Sequence, residues 1–170
     1  DTYRALHPLL TIIDPDQALR YGKSLIQDYQ EGTILPRWPL AANYTGCMPG
    51  YHSVSILADL VAKGLATKED LRLWTEAAVR SSVYREDLAK KFAGTRELDL
   101  ITRHPYYKET LGFVPADSIR ESVSWGVEMA YDDWCIARLA EAAGLDSIRQ
   151  AYDKKALYYQ RYWDHETKLM

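Results

Sequence analysis

No stretch of this 170-residue chain alternates apolar and polar side chains long enough to make a half-buried strand. Apolar residues recur at helical spacing instead, and that periodicity restricts the chain to an all-α fold. Residues 2 to 13 place Tyr3, Leu6, Leu9, Leu10 and Ile13 for one helix that stops at Asp14-Pro15. A second helix follows, with Ala18, Gly22, Leu25, Ile26 and Tyr29 on one face and Gly32 after its end. Residues 31 to 49 read as a loop rich in Pro and aromatics. Residues 50 to 63 are apolar on more than one side, as a helix buried between neighbours must be, and Gly64 supplies the stop. Thr67 and Asp70 form a near capping box for the next helix.

Residues 84 to 117 carry Gly94, Pro105, Gly112 and Pro115 and read as mostly irregular, a length that suits a lid or a functional loop. A long helix is predicted from about Ser118 to Ala143, closed by Gly144. Asp146 is predicted to cap a last helix whose stripe is Ile148, Tyr152, Tyr159 and Trp163. Helix hairpins joined alternately by short and long connections fit a solenoid, a bundle or an α/α toroid, and periodicity alone does not choose among them. Loops bearing aromatic residues favour the toroid.

Charge narrows the partners. The net charge is −3 and no Lys or Arg run stands out, so neither a nucleic-acid nor an anionic-membrane surface is expected. No apolar run is long enough to span a bilayer. The rings are 13 Tyr and 5 Trp against 2 Phe, so most carry a polar handle suited to a wet core or to a cleft for a polar ligand. Cys47 and Cys135 make no disulfide framework and no zinc pattern, and both read as buried thiols. There is no phosphate-binding glycine loop, no His-Glu-x-x-His and no nucleophile elbow. Asn43-Tyr44-Thr45 fits a glycosylation sequon, a pattern too common to decide anything.

Two constellations are left as candidate sites. The loop from Leu35 to His52 gathers Trp38, Asn43, Tyr44, Thr45 and His52 on a Gly/Pro-shaped turn. Flat rings stack on the apolar face of a sugar while amide and imidazole groups bond its hydroxyls. The same loop is equally readable as a packed cap, with Trp38 plugging the core. In the long helix Glu121, Trp125, Glu128 and Asp132 share a face, and Asp133 lies about 100° further round. A solvated acidic face is the commoner explanation of such a stripe. Tyr131 and Trp134, flanking the Asp pair, argue against it. Asp1 at a helix start suits a cap, because the helix dipole favours a carboxylate there.

The residues themselves resemble one family in order from first to last. Asp1-Thr2-Tyr3-Arg4, continuing to His7-Pro8-Leu9, resembles its W-D-T segment without the Trp. Ala42-Asn43-Tyr44-Thr45-Gly46-Cys47-Met48, Gly112-Phe113-Val114-Pro115 and Ala130-Tyr131-Asp132-Asp133-Trp134-Cys135 are similar to its internal motifs. Trp163-Asp164-His165-Glu166-Thr167 resembles its closing turn. On these motifs the chain looks like part of the catalytic domain of glycoside hydrolase family 92, the calcium-dependent exo-acting α-mannosidases. The ends look cut, so the chain is expected to be the N-terminal part of one domain, residues 1–170.

The resemblance implies helical hairpins forming part of an (α/α)6 toroid. It implies a parent enzyme that removes terminal mannose from a glycan, α-1,2-linked in type, with inversion. Calcium is implied as cofactor, and the remainder of the catalytic domain as partner. A periplasmic or extracellular parent is implied as well. Inversion needs an acid and a base separated by room for a water. The resemblance puts both, and the calcium ligands, beyond residue 170, so no catalytic or metal-binding residue is assigned within the chain. It assigns Asp1 to the terminal mannose and Trp38, Asn43, Tyr44, His52, Asp132 and Asp133 to the cleft. Three departures stand out: Tyr44 where a carboxylate is usual, Trp125-Gly126 where a basic residue and Thr are usual, and Lys168 for Gly. The alternative is a non-catalytic helical carbohydrate-binding or scaffold segment.

Overall fold

The computed structural model of the chain describes residues 2–41, 43–45, 47–94 and 103–170, with residue 43 as backbone alone. Among these residues the chain forms eight α-helices, α1 (Leu6–Ile13), α2 (Pro15–Gly32), α3 (Ser53–Ala62), α4 (Lys68–Ser82), α5 (Glu86–Lys91), α6 (His104–Leu111), α7 (Ser122–Ala142) and α8 (Asp146–Ala156). Single 3₁₀ turns at Thr2–Arg4 and Leu157–Tyr162 flank the set. No helix among the described residues is long and apolar enough to cross a membrane.

The starts and stops follow local chemistry. Asp14 caps α2 by accepting from the Gln17 N–H at 3.1 Å, and Pro15 takes the first helical position, where a missing N–H costs nothing. Thr67 and Asp70 form the expected capping box of α4, with the Asp70 carboxylate accepting from the Thr67 N–H at 2.9 Å. Gly64 closes α3 at φ 72°, and the Leu65 N–H turns back to the Leu60 carbonyl at 2.9 Å.

α7 is the spine. It packs against α3, α4 and α8, and both its apolar sides are buried, at Trp125, Met129, Ile136 and Leu139 among others. Trp74 from α4 and Leu57 and Leu60 from α3 complete the centre of the core. α2 crosses α3 at Gly22, where an added Cβ would lie 2.4 Å from the Leu60 side chain. A side chain there would have to displace the Leu60 methyl.

The structure corrects several expectations. Residues 2 to 13 are not one helix: the chain breaks at Ala5, because Pro8 is tolerated only within the first turn of a helix and sets the start of α1 at Leu6. The segment read as irregular contains α5 and α6. Pro105 opens α6 rather than interrupting a helix, and Gly94 and Gly112 are left-handed, at φ 79° and 74°, Gly112 capping the end of α6. α7 begins at Ser122 because Glu121 is left-handed at φ 59°. Leu145, not Asp146, holds the cap of α8, since its N–H is tied to the Ala140 carbonyl at 2.8 Å by the tight turn out of α7. A two-residue ribbon, β1 (Pro39–Leu40) and β2 (Asn43–Tyr44), pairs antiparallel and is too short for alternation to reveal. Cys135 is buried as expected, whereas Cys47 is half-exposed.

Gly126 in α7 carries the ring of Tyr162, whose hydroxyl accepts from the Val114 N–H at 2.6 Å. A Cβ there would stand 2.0 Å from that ring. Helix propensity favours Ala over Gly by up to about 1 kcal/mol, whereas forced overpacking costs about 1–3 kcal/mol. Gly126→Ala is therefore expected to lower the denaturation midpoint, and to cost nothing in a Tyr162→Ala background. A stabilising Gly126→Ala would refute this packing.

Candidate functional site

The loop between α2 and α3 is tied to its surroundings at several points. It leaves α2 at Thr33, left-handed at φ 65°, where the buried Arg85 guanidinium donates to the Thr33 carbonyl. The Leu35 N–H donates to Ser81 Oγ at 2.9 Å, and the Ser53 hydroxyl donates to the Pro36 carbonyl. Further out, Arg37 donates to the Met48 carbonyl at 3.1 Å and Thr45 Oγ1 to the Trp38 carbonyl at 2.5 Å. The Arg37 guanidinium also lies 5.1 Å over the Trp125 ring, and the His104 ring stacks on Trp125 at 3.6 Å. Trp125, one of the departures noted above, thus props the loop from below.

The loop ends on two consecutive residues that grip α7. Tyr51 donates its N–H to Asp132 Oδ2 at 2.6 Å and its hydroxyl to Asp133 Oδ1 at 2.5 Å. His52 follows with Nδ1 2.9 Å from Asp132 Oδ1 and Nε2 3.5 Å from Glu128 Oε2. The tautomer protonated on Nδ1 donates to Asp132. The Tyr3 ring stacks on His52 at 4.1 Å, and its hydroxyl donates to Glu128 Oε2 at 3.1 Å, while Arg4 donates to Glu128 Oε1 at 2.6 Å. Burial, then the Glu128 carboxylate, pushes the Tyr3 hydroxyl above the ordinary phenol range, so it remains a donor. Burial likewise raises the Asp132 carboxyl, with the His52 bond opposing it.

Two surface clefts share Tyr3 as a wall. The first, about 570 Å³, is lined by His7, Tyr21, Trp38, Met48 and His52. The second, about 640 Å³, is lined by Arg4, Glu128, Tyr131, Trp134 and Arg138. Both are the size of pockets that take small molecules. Trp38 is 49% exposed at the lip of the first cleft, so it does not plug the core.

Of the residues singled out in the sequence, the structure brings Trp38 and His52 to one cleft. Tyr44 sits half-buried in the small ribbon, paired with Pro39. Asn43 shares that ribbon, and its side chain lies outside the described residues, as does Asp1. Asp132 and Asp133 are 0% exposed, so they form no solvated acidic face, and no ligand reaches them in this arrangement. Sequence reasoning missed Tyr3, Arg4, Tyr51 and Lys108. Lys108, alone on the aromatic segment His104–Leu111, was the readable signal of a buried cation, although its partner was not.

Calcium needs six to eight oxygen ligands. Among the described residues no group of three or more His, Cys, Asp or Glu could hold a metal ion, and the buried Asp pair is committed to Tyr51, His52 and Lys108. These residues do not fit a calcium cage.

Gly50, at φ 74°, places the turn. A Cβ on it would lie 2.7 Å from Asp132 Oδ2 and 2.6 Å from the His52 ring. Gly50→Ala combines left-handed strain of about 1–2 kcal/mol with that clash, so it is expected to displace His52 and lower the denaturation midpoint. A variant structure with His52 unmoved would show that this contact is not required.

The whole chain, residues 1–170, matches the glycosyl hydrolase family 92 catalytic domain. No curated protein matches it. Among solved structures it is similar to a family 92 inverting mannosidase of Bacteroides thetaiotaomicron, with 35% identity and a TM-score of 0.83 over 100% of this chain and 22% of that one. It is also similar to a family 92 α-mannosidase of that organism in complex with mannoimidazole, at 34% identity and a TM-score of 0.79, over 99% of this chain and 20% of that one. A second structure of the same α-mannosidase gives 34% identity and a TM-score of 0.81 over 99% of this chain and 21% of that one. The chain thus spans about a fifth of the length of these solved relatives. Its helical hairpins form part of an (α/α)6 toroid, and the chain belongs to the glycosyl hydrolase family 92 catalytic domain.

Proposed function

We propose that the full-length protein is an inverting, exo-acting α-mannosidase that removes terminal α-1,2-linked mannose from a glycan with the help of calcium. The observation that carries this reading is the match of every residue of the chain to the family 92 catalytic domain, beside a solved inverting mannosidase at 35% identity. Within this segment the reading gives residues binding roles. Trp38 offers an exposed ring for the sugar face, and His52, fixed between Asp132 and Glu128, offers a polar edge in the same cleft. Asn43, Tyr44 and Asp1 complete the contacts. Asp132 and Asp133 act from behind, by holding Tyr51 and His52. The acid, the base and the calcium ligands come from the remainder of the domain, which also covers the outward apolar face of α1, where Ile12 is 75% exposed. A periplasmic or extracellular location suits a glycan substrate.

The full-length protein is expected to release mannose from an α-1,2-mannobioside with β-mannose as the first anomer seen by NMR, and to lose activity on chelation. Residues 1–170 alone are expected to be inactive, since inversion needs a carboxylate pair flanking the bond. α-Mannose as first product, or no hydrolysis at all, sinks the reading.

Two variants of the full-length protein test the contacts. Trp38→Ala removes a half-exposed ring and is expected to raise KM about fivefold to tenfold, the worth of about 1–1.5 kcal/mol of ring contact. Asp1→Asn removes a charge-assisted acceptor and is expected to lower kcat/KM at least about tenfold. Wild-type kinetics with a lowered melting temperature would make both residues structural.

A further inference from the structure

We propose that Lys108 and Tyr51 are positioning residues of the mannoside site, with Lys108 acting through Asp133 and Tyr51 to hold the loop that carries Trp38 and His52. This rests on the α-mannosidase reading.

Lys108, on α6, is only 3% exposed, and a buried ammonium persists only when an opposite charge and hydrogen bonds replace its water. Its Nζ lies 3.0 and 3.2 Å from the two oxygens of Asp133 and 2.8 Å from the Tyr51 hydroxyl. The Tyr51 hydroxyl therefore accepts from Lys108 while donating to Asp133 Oδ1 at 2.5 Å. Three buried polar groups close one triangle, and each satisfies the others. The backbone N–H of the same tyrosine is held by Asp132 at 2.6 Å, and the next residue, His52, by Asp132 at 2.9 Å. Tyr51 is thus fixed at both its backbone and its ring tip to successive residues of α7.

That double fixation sets where the loop ends. Gly50, in its left-handed turn, has room only for a hydrogen against Asp132 and His52, so any rotation of Tyr51 carries the turn with it. Met48, two residues back, is left-handed at φ 70°, and its carbonyl holds Arg37 next to Trp38. Neither Lys108, Tyr51 nor Asp133 lines either of the two clefts described above. Their reach to the sugar is indirect. Burial, and after it the Lys108 ammonium, holds Lys155 below the ordinary lysine range.

The test uses the full-length protein with Tyr51→Phe, which keeps the ring and its packing, and Lys108→Met, which leaves Asp133 without its counter-charge. Hydrolysis of an aryl α-mannoside is measured beside hydrogen exchange of peptides covering residues 43–52 and 129–137. Tyr51→Phe is expected to lower kcat/KM about tenfold, carried by KM, because the hydroxyl's bonds to two charged groups, Lys108 and Asp133, are lost while those two stay paired with each other. Exchange over 43–52 is expected to quicken by about the same factor while 129–137 keeps its protection, since opening is local. Lys108→Met should do the same more strongly. Unchanged loop exchange in Tyr51→Phe, or faster exchange spread evenly over both peptides, overturns the proposal, as does unaltered kcat/KM in an active parent. In a wild-type protein without mannosidase activity the functional reading falls instead, and exchange alone decides whether the triangle holds the loop.

Discussion

Taking an ionised carboxylate out of water costs several kcal/mol unless an opposite charge and hydrogen bonds replace the hydration it loses. α7 buries two carboxyl groups in succession, Asp132 bonded to Tyr51 and His52 and Asp133 to Tyr51 and the Lys108 ammonium, both without exposed surface. Every partner that meets them comes from elsewhere in the chain. Tyr51 and His52 arrive from the loop before α3, and Lys108 from α6. The two carboxylates therefore do more than survive burial: they fix where a loop ends and where a separate helix docks. A helix face that were merely apolar would bury as much surface without specifying either, since hydrophobic contact is not directional.

The same logic extends outward from the pair. His52 is held by Asp132 and backed by Tyr3, and Tyr3 in turn bonds Glu128, which Arg4 also meets. The start of the chain and the loop are thereby joined on one wall, with a cleft on either side of Tyr3. Close approach is permitted by absent side chains. Gly50 admits Asp132 and His52, and Gly126 admits Tyr162, whose hydroxyl then serves the Val114 N–H. Trp125, beside that glycine, is sandwiched between His104 and Arg37. Trp125 and Gly126 thus serve two contacts side by side, a large ring meeting Arg37 of the loop and a bare backbone receiving a tyrosine.

The sequence was legible wherever one residue's own neighbours decide the outcome. The Thr67-Asp70 box, the Asp14-Pro15 start and the Gly64 stop follow from the hydrogen-bonding needs of helix ends, which a few consecutive residues meet. Reading failed where the same residue types serve opposite ends. Pro105 and Gly112 looked like breaks in an irregular stretch and are instead the start and finish of α6. Leu145 displaced Asp146 from a cap because a turn between two packed helices, rather than a side-chain preference, set the boundary.

What the sequence by itself determined was the all-α class, several helix limits and the family motifs, because period and capping are local properties of the chain. Only the tertiary structure decided what the motif residues do. It put Trp38 at a cleft lip rather than in the core, and it sealed Asp132 and Asp133 away from solvent. It also paired Asp133 with Lys108, 25 positions away, and with Tyr51, 82 positions away. The spacing of carboxylates on a helix says which face they share. Whether that face meets water or a buried ammonium depends on the distant segment that folds over it.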